Sequence, residues 1–556
     1  MSSALPAVRR LILYVLLFAL VVIAASGLSG LVTRTLPSGQ VLAGEATAGL
    51  AQSLAFTVIG VPLAALLWWF VWRRLADPEE RRSTAWDLYV AGLYSVALVV
   101  ASTQLLALLA GLVEGRTEGW NGFLATAVVW AGVLAWHRWM WRSTVKGPLL
   151  LADVPAVVGA GYGLALGAAM AGTALTRLIR AAVQSLSGDQ MAVLATQGES
   201  RTWWGGVLAA AVWAAGGALV WLWHWIVEGG RRLRTGFSDV VLVLVGIFAA
   251  GVAALGGAGT VLFVVLRLLF DRDEAAAPVL SLLDPLPAAL AAGTIGWLVW
   301  AYHRPLVAAR SIAAQQAARL VTAGIALVGA ASGVGVIINA LLSLVRAPLA
   351  GTGARTLLLG GIASLAVGGL VWWFVWKPTH VLSEPLAGQP PGRRIYLVVV
   401  FGVSAVAALV TLLVIGFQVF RSWLAGGGGL ALIADIRVPL GILVATALAA
   451  SYHYAVWRHD RAELPAHAAR PSIGKAILVT ALDPEPFSRA ITEATGATVT
   501  IWRSVDGLPS KQAPPPAQRE APSTEAVAKA LEGIRSRRAL VLVGPGDRVE
   551  ALPLEG

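Results

Sequence analysis

Apolar residues in the first 460 positions form long runs, separated by short segments that contain charged residues. The run from Leu11 to Thr33 has no charged residue, and about 20 apolar residues suffice to cross a bilayer as an α-helix. Similar runs recur to about residue 457. They predict twelve membrane helices, at residues 9–33, 52–73, 86–112, 121–142, 153–180, 203–227, 239–267, 286–306, 318–345, 355–376, 394–421 and 434–457.

The first run has a second interpretation, because Arg9 and Arg10 precede it as basic residues precede the apolar part of a secretory signal peptide. The apolar part of such a peptide is roughly 7 to 15 residues long, which is shorter than this run. The sequence therefore predicts a retained first helix.

A second pattern repeats near the ends of the even-numbered helices, where an aromatic residue is followed by another aromatic residue or by histidine. The pairs recur about every 77 residues, and a fixed period indicates one structural unit copied along the chain. They are Trp68 and Trp69, Trp136 and His137, Trp223 and His224, Tyr302 and His303, Trp372 and Trp373, and Tyr452 and His453. The pattern predicts a transmembrane domain over residues 1–465 with six tandem helical hairpins, at about residues 9–76, 84–143, 151–230, 236–308, 313–380 and 392–460.

The composition changes after Arg458, where Asp, Glu, Pro and Lys return and the apolar runs shorten. Segments 476–482 and 497–503 predict strands, Ser523 predicts the start of a helix, and the Gly-Pro-Gly-Asp turn at 544–547 predicts a final hairpin. A Pro- and Gln-rich linker precedes Ser523. The predicted fold is an all-α polytopic membrane protein with a small C-terminal α/β (βαβαββ) soluble domain at residues 473–556.

Composition agrees with this fold class. Hydrophobic residues make up 57% of the chain and charged residues 13%, whereas soluble domains carry about 25% charged residues. The absence of cysteine excludes disulfides, thiolate metal sites and cysteine nucleophiles. The net charge of +12 comes from basic residues that lie mostly in short loops, where they meet anionic lipid, so membrane lipids and not nucleic acids are the predicted partners.

Lys and Arg residues are unevenly divided between the two sides of the predicted helices. Up to residue 437, the side with the N-terminus and the loops after even-numbered helices holds 18 of them, and the opposite side holds 11. A basic excess marks the cytoplasmic side. The sequence predicts a bacterial inner (cell) membrane protein with both termini in the cytoplasm.

The matched histidines His137, His224, His303 and His453 are candidate ligands for haem, a pigment or a metal, because neutral imidazole coordinates all three. In two repeats, however, Trp69 or Trp373 stands at the matched place, and tryptophan cannot coordinate. Amphipathic rings are also typical of the aromatic belt at the membrane surface. The favoured interpretation is that these histidines are belt and packing residues, with no catalytic site, cofactor or metal.

Other polar and small residues within the predicted helices receive structural interpretations. Gln104 and Asn339 are predicted to form interhelical hydrogen bonds, while Asp87, Asp153 and Asp239 are predicted to cap helix N-termini. Neither Gln104 nor Asn339 is ionisable, which argues against a proton-coupled pump. Small-residue ladders predict close helix packing at Gly159, Gly163 and Gly167, and at Gly329 and Gly333.

The repeated openings RRLILYVLLFALVVIAASG and RRIYLVVVFGVSAVAALV, with the closings LVWAYHR and SYHYAVWRH, resemble a known family. Its members are bacterial multi-pass membrane proteins built from tandem copies of a two-helix membrane domain of unknown function. The resemblance covers about residues 8–460, and repeats one and five depart from it by having Trp in place of His. It implies an architecture and no activity.

No catalytic triad, paired catalytic carboxylates or metal-ligand spacing occurs in the sequence, so the prediction is a protein that is not an enzyme. The leading hypothesis is a scaffold or subunit of a membrane assembly whose C-terminal domain binds a cytoplasmic protein. Three alternatives stay open: an uncoupled transporter or channel for a small or lipophilic solute, a haem or pigment carrier using the matched histidines, and a membrane sensor.

Overall fold

A computed structural model describes residues 4–37, 43–186, 203–270, 279–345, 353–381, 392–462, 473–503, 522–532, 534, 536–544 and 548–554. The chain divides into two compact parts, Met1–Tyr454 and Ala455–Gly556. The predicted domain boundary, between residues 465 and 473, lies almost wholly outside the described residues.

Within these residues, twelve long helices overlap the twelve predicted positions. They are α1 (Ala4–Thr35), α2 (Ala43–Arg74), α3 (Thr84–Val113), α4 (Trp120–Trp141), α5 (Val154–Leu186), α6 (Trp203–Leu222, continued by a π-helical turn at Trp223–Val227), α7 (Gly236–Val241, a π-helical segment at Leu242–Ala249, and Ala250–Phe270), α8 (Leu286–Ala308), α9 (Ile312–Ser343), α10 (Ala354–Val381), α11 (Gly392–Leu424) and α12 (Leu430–Ala462). Short helical turns lie at Pro78–Arg81, Gly230–Arg232 and Val279–Leu283.

Eleven of these described helices are long and apolar enough to cross a bilayer, so the chain is a multi-pass membrane protein. The exception is α4. Its 22 residues include five tryptophans together with Asn121, His137 and Arg138, and these side chains lower its hydropathy.

Helices that follow one another pack as hairpins in five cases: α1 with α2, α3 with α4, α5 with α6, α7 with α8, and α9 with α10. The small-residue ladders lie in two of these contacts. Gly163 faces the backbone of Trp221 so closely that a Cβ would clash, and Gly333 faces the backbone of Leu365 in the same way. The predicted close packing at these ladders is confirmed.

A larger grouping joins pairs of hairpins. The first helix packs against the fourth in α1–α4 and again in α5–α8. We call these groups unit one and unit two, and we call α9–α12 unit three. The contact between units one and two uses the same helices as the contact between units two and three. In the first, α3 packs on α5 and α6, and in the second, α7 packs on α9 and α10.

The second compact part contains a four-stranded mixed sheet. Its elements are β1 (Lys475–Thr480), α13 (Glu485–Thr495), β2 (Thr498–Arg503), α14 (Thr524–Leu531), β3 (Arg538–Val543) and β4 (Val549–Leu554). The strand order is β2-β1-β3-β4, with β1 parallel to β2 and β3, and β4 antiparallel to β3. Gly496 ends α13 with φ +69°, and the Ser523 hydroxyl caps α14. The predicted βαβαββ order is confirmed, while the linker at 504–521 and most of the predicted turn lie outside the described residues.

Candidate functional site

Each of the three units has an aromatic cluster built from its second and fourth helices. The second helix contributes two tryptophans four positions apart, which therefore lie on one helix face. The fourth helix contributes an aromatic residue followed by histidine. The members are Trp68, Trp72, Trp136 and His137 in unit one, Trp221, Trp225, Tyr302 and His303 in unit two, and Trp372, Trp376, Tyr452 and His453 in unit three.

The cluster of unit two shows the geometry most clearly. Trp221 and Trp225 stack with 6.4 Å between ring centroids, and Tyr302 meets Trp221 edge-on at 5.5 Å. The His303 ring lies 5.9 Å from Trp225. Trp225 donates a hydrogen bond from Nε1 to the Tyr302 hydroxyl over 3.0 Å.

Unit three repeats this arrangement closely. Trp372 and Trp376 stack at 6.3 Å, Tyr452 meets Trp372 edge-on at 5.3 Å, and His453 lies 5.6 Å from Trp376. Trp376 donates from Nε1 to the Tyr452 hydroxyl over 2.8 Å. The two clusters are thus copies of one structure.

Unit one contains a related cluster, in which Trp68 lies 5.7 Å from Trp72 and meets Trp136 edge-on at 6.0 Å. Trp68 and Trp372 are therefore the inward-facing tryptophans of their helices. Trp69 and Trp373, which the sequence matched to the histidines, are 51% and 54% exposed and point away. The match of Trp69 and Trp373 to the buried histidines was therefore wrong, since these two tryptophans lie on the outward side of their helices.

All four candidate histidines are buried, with at most 2% of each residue exposed. In each, Nδ1 lies 2.7 or 2.8 Å from the backbone carbonyl oxygen four residues earlier. A carbonyl oxygen only accepts, so Nδ1 carries the proton and Nε2 is left as an acceptor. The prediction that these histidines belong to the aromatic belt is wrong, whereas the predicted packing role agrees with the structure, because each ring is enclosed by protein and satisfies one nitrogen within its own helix.

The other ring nitrogen has a partner in two of the four histidines. His137 Nε2 lies 3.2 Å from the Tyr89 hydroxyl of α3, and His224 Nε2 lies 2.8 Å from the Tyr94 hydroxyl of the same helix. His224 also packs so tightly on Gly159 that a Cβ there would clash. It joins unit one to unit two and has no counterpart in the other clusters.

The structure distributes the histidines over separate helices and gives them separate neighbours. His303 packs on Gly246 of α7, where an added Cβ would lie 2.8 Å from the imidazole Cγ. Among the residues that the structure describes, no three His, Asp or Glu side chains form a group that could hold a metal ion.

His453 differs from His137 and His224. Its Nε2 atom is buried and has no hydrogen-bond partner among the described residues, and the same is true of the Tyr396 hydroxyl and the Trp372 indole nitrogen. The Tyr396 ring lies 5.8 Å from the His453 ring, almost the same separation as the 5.7 Å between Tyr89 and His137. Unit three thus contains a pair like Tyr89 and His137 that is not joined by a hydrogen bond.

A cavity of about 960 Å³ lies beside this open pair, between α9, α11 and α12. Most of its lining is aliphatic, and none of the described residues that line it is charged. The polar lining residues are Ser332, Asn339, Tyr396, Ser404 and Thr446. The Asn339 side-chain oxygen is buried and has no hydrogen-bond partner among the described residues, so none of them forms the predicted interhelical bond with that atom.

The cavity exists because unit three is more open than the other two. The third and fourth helices pack against each other in units one and two, whereas α11 packs on α9, and α12 approaches α9 where Gly335 and Gly441 meet. Unit one has a smaller cavity of about 490 Å³ that is lined by Tyr89 and His137, the pair that is hydrogen-bonded.

An ion-pair cluster joins units one and two at the ends of α4 and α6. The buried carboxylate of Glu228 accepts from Arg138 at 2.8 Å and also pairs with Arg142. Burial alone would raise the pKa of this carboxyl, but the hydrogen bonds and charges of Arg142 and Arg138 outweigh it and hold the pKa below its usual range. Glu228 is therefore a charged structural link.

Asp87 and Asp239 make contacts other than the predicted helix caps. Asp87 is fully buried and accepts from the backbone amides of residues 149–151, in the loop after α4. Asp239 pairs with Arg310 at 3.2 Å and accepts from the Ser311 hydroxyl, just after α8. Ser83 and Thr235 cap the two helices instead. Each aspartate thus fixes the segment that leads to the next unit.

Sequence reasoning missed Tyr89, Tyr94 and Tyr396, which are the hydroxyl groups beside three of the histidines. Each lies in the third helix of its unit, so no local spacing connects it to its histidine. The four-residue spacing of the paired tryptophans was visible in the sequence and identifies the inward face of each second helix.

Two segments of the chain, residues 10–137 and 313–448, match the model of a domain of unknown function (DUF5671). The first match covers most of α1–α4, and the second covers most of α9–α12. Each match therefore spans four helices, twice the repeat that the sequence predicted, and corresponds to unit one or unit three. No curated protein and no solved structure matches the chain.

Proposed function

We propose that the membrane domain binds a lipophilic molecule in the cavity between α9, α11 and α12. The cavity itself is the observation that supports this proposal. Small-molecule sites are typically about 300 to 1,000 Å³ in volume and mostly apolar, with a few polar groups that orient the ligand. At about 960 Å³ and with an aliphatic lining, this cavity has the size and character of such a site.

The chemistry of the lining favours a neutral ligand. The described lining residues carry no charge, so a bound ion would lose its hydration without compensation from them. Asn339 and Tyr396 each have a buried oxygen without a partner among the described residues, and such groups can orient a ligand. Among the functions that the sequence left open, these features favour a carrier or channel for a lipophilic solute.

The proposal is tested by the lipids that accompany the full-length protein through purification. Ala331→Phe and Ala407→Phe place a ring at the cavity wall and should lower the amount of bound lipid measured by mass spectrometry. Val406→Phe is the matched control, because Val406 is 62% exposed and does not line the cavity. Equal lipid content in the filled, control and unchanged proteins, provided that all three remain folded, would contradict the proposal.

A scaffold role for the C-terminal domain has separate support. β2 is at one edge of the sheet, and its Ile501 and Trp502 side chains are exposed. Edge strands with exposed apolar residues are suited to binding another protein. If the domain docks a cytoplasmic partner here, Trp502→Ser should release a protein that copurifies with the unchanged chain. An unaltered set of copurifying proteins would count against this surface.

We also infer that all twelve helices cross the bacterial inner membrane, with both termini in the cytoplasm. Stacking of Trp72 on Trp139 places the C-terminal ends of α2 and α4 together, and the contacts of Glu228 with Arg138 place the end of α6 beside them. This arrangement supports a parallel course for α2, α4 and α6, although α4 is the least apolar of the twelve helices. The excess of basic residues near these ends supports a cytoplasmic location for them.

A further inference from the structure

We infer that the ligand of the unit-three cavity carries a hydroxyl group, which binds between Trp372, Tyr396 and His453. This inference rests on the proposed function, since it specifies the chemical class of the lipophilic ligand. It starts from three buried polar atoms that have no partner among the described residues: the Trp372 indole nitrogen, the Tyr396 hydroxyl and His453 Nε2.

The donors and acceptors of these three groups define the missing partner. Indole Nε1 only donates, and the tyrosine hydroxyl has a proton to donate. Nδ1 of His453 donates to the carbonyl of Ala449 at 2.8 Å, so Nε2 is an acceptor. The site therefore offers two donors and one acceptor.

A hydroxyl group meets all three requirements. Its oxygen has two lone pairs, which accept from Trp372 and Tyr396, and its single proton is donated to His453. A carbonyl or ether oxygen cannot donate to His453, and an ammonium group cannot accept from the two donors. A hydrocarbon satisfies none of them and leaves all three buried groups desolvated and without a hydrogen bond.

Unit one contains the same kind of residue pair with its hydrogen bond formed. The Tyr89 hydroxyl lies 3.2 Å from His137 Nε2, and the two rings are 5.7 Å apart. In unit three the rings of Tyr396 and His453 are 5.8 Å apart, yet both polar atoms are unpartnered. In unit three, therefore, the tyrosine hydroxyl and the histidine nitrogen are available to bind a ligand.

The position of the three groups relative to the cavity suits an amphiphile. Tyr396 lines the cavity from the first turns of α11, and Ala449, one turn before His453, lines it from α12. Asn339 and Ala407 line it farther along α9 and α11. A ligand with its hydroxyl at Tyr396 would extend its apolar part from this end towards the middle of the helices.

The test compares two probes of equal chain length, hexadecanol and hexadecane, on the purified full-length protein. Binding of each radiolabelled probe is measured at equilibrium. Hexadecanol should bind more tightly than hexadecane, and Tyr396→Phe should weaken hexadecanol binding about 3- to 10-fold, as expected for one lost hydrogen bond. Hexadecane binding should be unchanged by this substitution.

Two further variants show that the effect is specific. His453→Gln retains an acceptor and should preserve part of the preference for the alcohol, whereas His453→Phe should abolish it. Tyr89→Phe is the matched control, because it alters the closed pair of unit one and should not affect hexadecanol binding.

The outcomes separate this inference from the proposal on which it rests. Equal affinity for the two probes, with no effect of Tyr396→Phe, would overturn the hydroxyl site while leaving a lipophilic cavity; a bound water would then be the partner of the three groups. Failure of folded protein to bind either probe would overturn both. Thermal unfolding of every variant establishes that it is folded.

Discussion

Trp225 donates a hydrogen bond from its indole nitrogen to the hydroxyl of Tyr302, 77 positions later in the chain, over 3.0 Å. Trp376 and Tyr452 form the same bond over 2.8 Å, across 76 positions. The repeat of the bond from one pair to the next is about 150 residues, which is the length of two hairpins. Side-chain geometry thus identifies the four-helix unit as the copied structure.

We predict that Tyr302→Phe destabilises the protein by about 1 to 2 kcal/mol, because the indole of the buried Trp225 loses its acceptor. The measurement is thermal unfolding in detergent. Replacing Trp225 by Phe in the same protein removes the unsatisfied donor, so the double variant should lose less stability than the sum of the single changes. Strict additivity would show that the bond does not contribute.

His224→Trp is expected to be strongly destabilising. The ring packs on Gly159 without space for even a Cβ between them, and tryptophan would also remove the acceptor of Tyr94. Overpacking of this kind costs roughly 1 to 3 kcal/mol, and the unpartnered hydroxyl adds to it. The yield and melting temperature of the purified protein report the effect.

Trp373→His is the matched exchange in the opposite direction, at a side chain that is 54% exposed. It should change the melting temperature little. Similar losses at the two positions would contradict the assignment of an inward histidine and an outward tryptophan.

Glu228→Gln should lower the free energy of unfolding by about 1 to 2 kcal/mol at pH 7, since the carboxylate binds two arginines that are each about half exposed. The folded pKa of Glu228 is lower than the unfolded value of about 4.3. Its stabilisation is therefore fully present above the unfolded pKa and is lost as the pH falls through the folded pKa.

The difference in melting temperature between Glu228→Gln and the unchanged protein should accordingly shrink below about pH 4.3. Unfolding curves between pH 7 and pH 3.5 measure it. Glu118→Gln is the control, because Glu118 is exposed. A difference that grows on acidification would show that the sign of the pKa shift is wrong.

Topology reporters can decide whether α4 crosses the membrane. Fusions after Ala76, Val145 and Gly556 should be active only in the form that reports the cytoplasm, and a fusion at Glu118 only in the form that reports the opposite side. Reporters at Glu118 and Val145 on the same side would show that α4 does not cross. Periplasmic activity after Ala76 or Gly556 would reverse the proposed orientation.

The sequence predicted the positions of the long helices and of every strand in the C-terminal domain, because hydrophobic periodicity and cap residues are local signals. The cap residue Ser523 was identified in this way. Two adjacent aromatic residues do not show by themselves which of them faces the protein interior. In the pairs at 68–69 and 372–373, either residue has the composition of a belt residue, and the ring contacts of Trp68 and Trp372 show that these two face inward.

The cavity could not have been predicted from the pattern of residues. Asn339 was visible as a polar residue in an apolar helix, but whether its oxygen meets a partner depends on the distance between α9 and its neighbours. That distance results from many side chains on three helices. The pairing of Tyr396 with His453 likewise connects positions 57 residues apart through tertiary packing.

The contact between successive units is asymmetric, because each unit uses different helices towards the unit before it and the unit after it. In each of the two contacts, the third helix of one unit (α3 or α7) packs on the first hairpin of the next unit. Because the same joint occurs twice, it is independent of position in the chain. If an internal duplication added a further unit after α12, the first hairpin of that unit could pack on α11 in the same way. The length of such proteins can therefore change by whole units without a new interface.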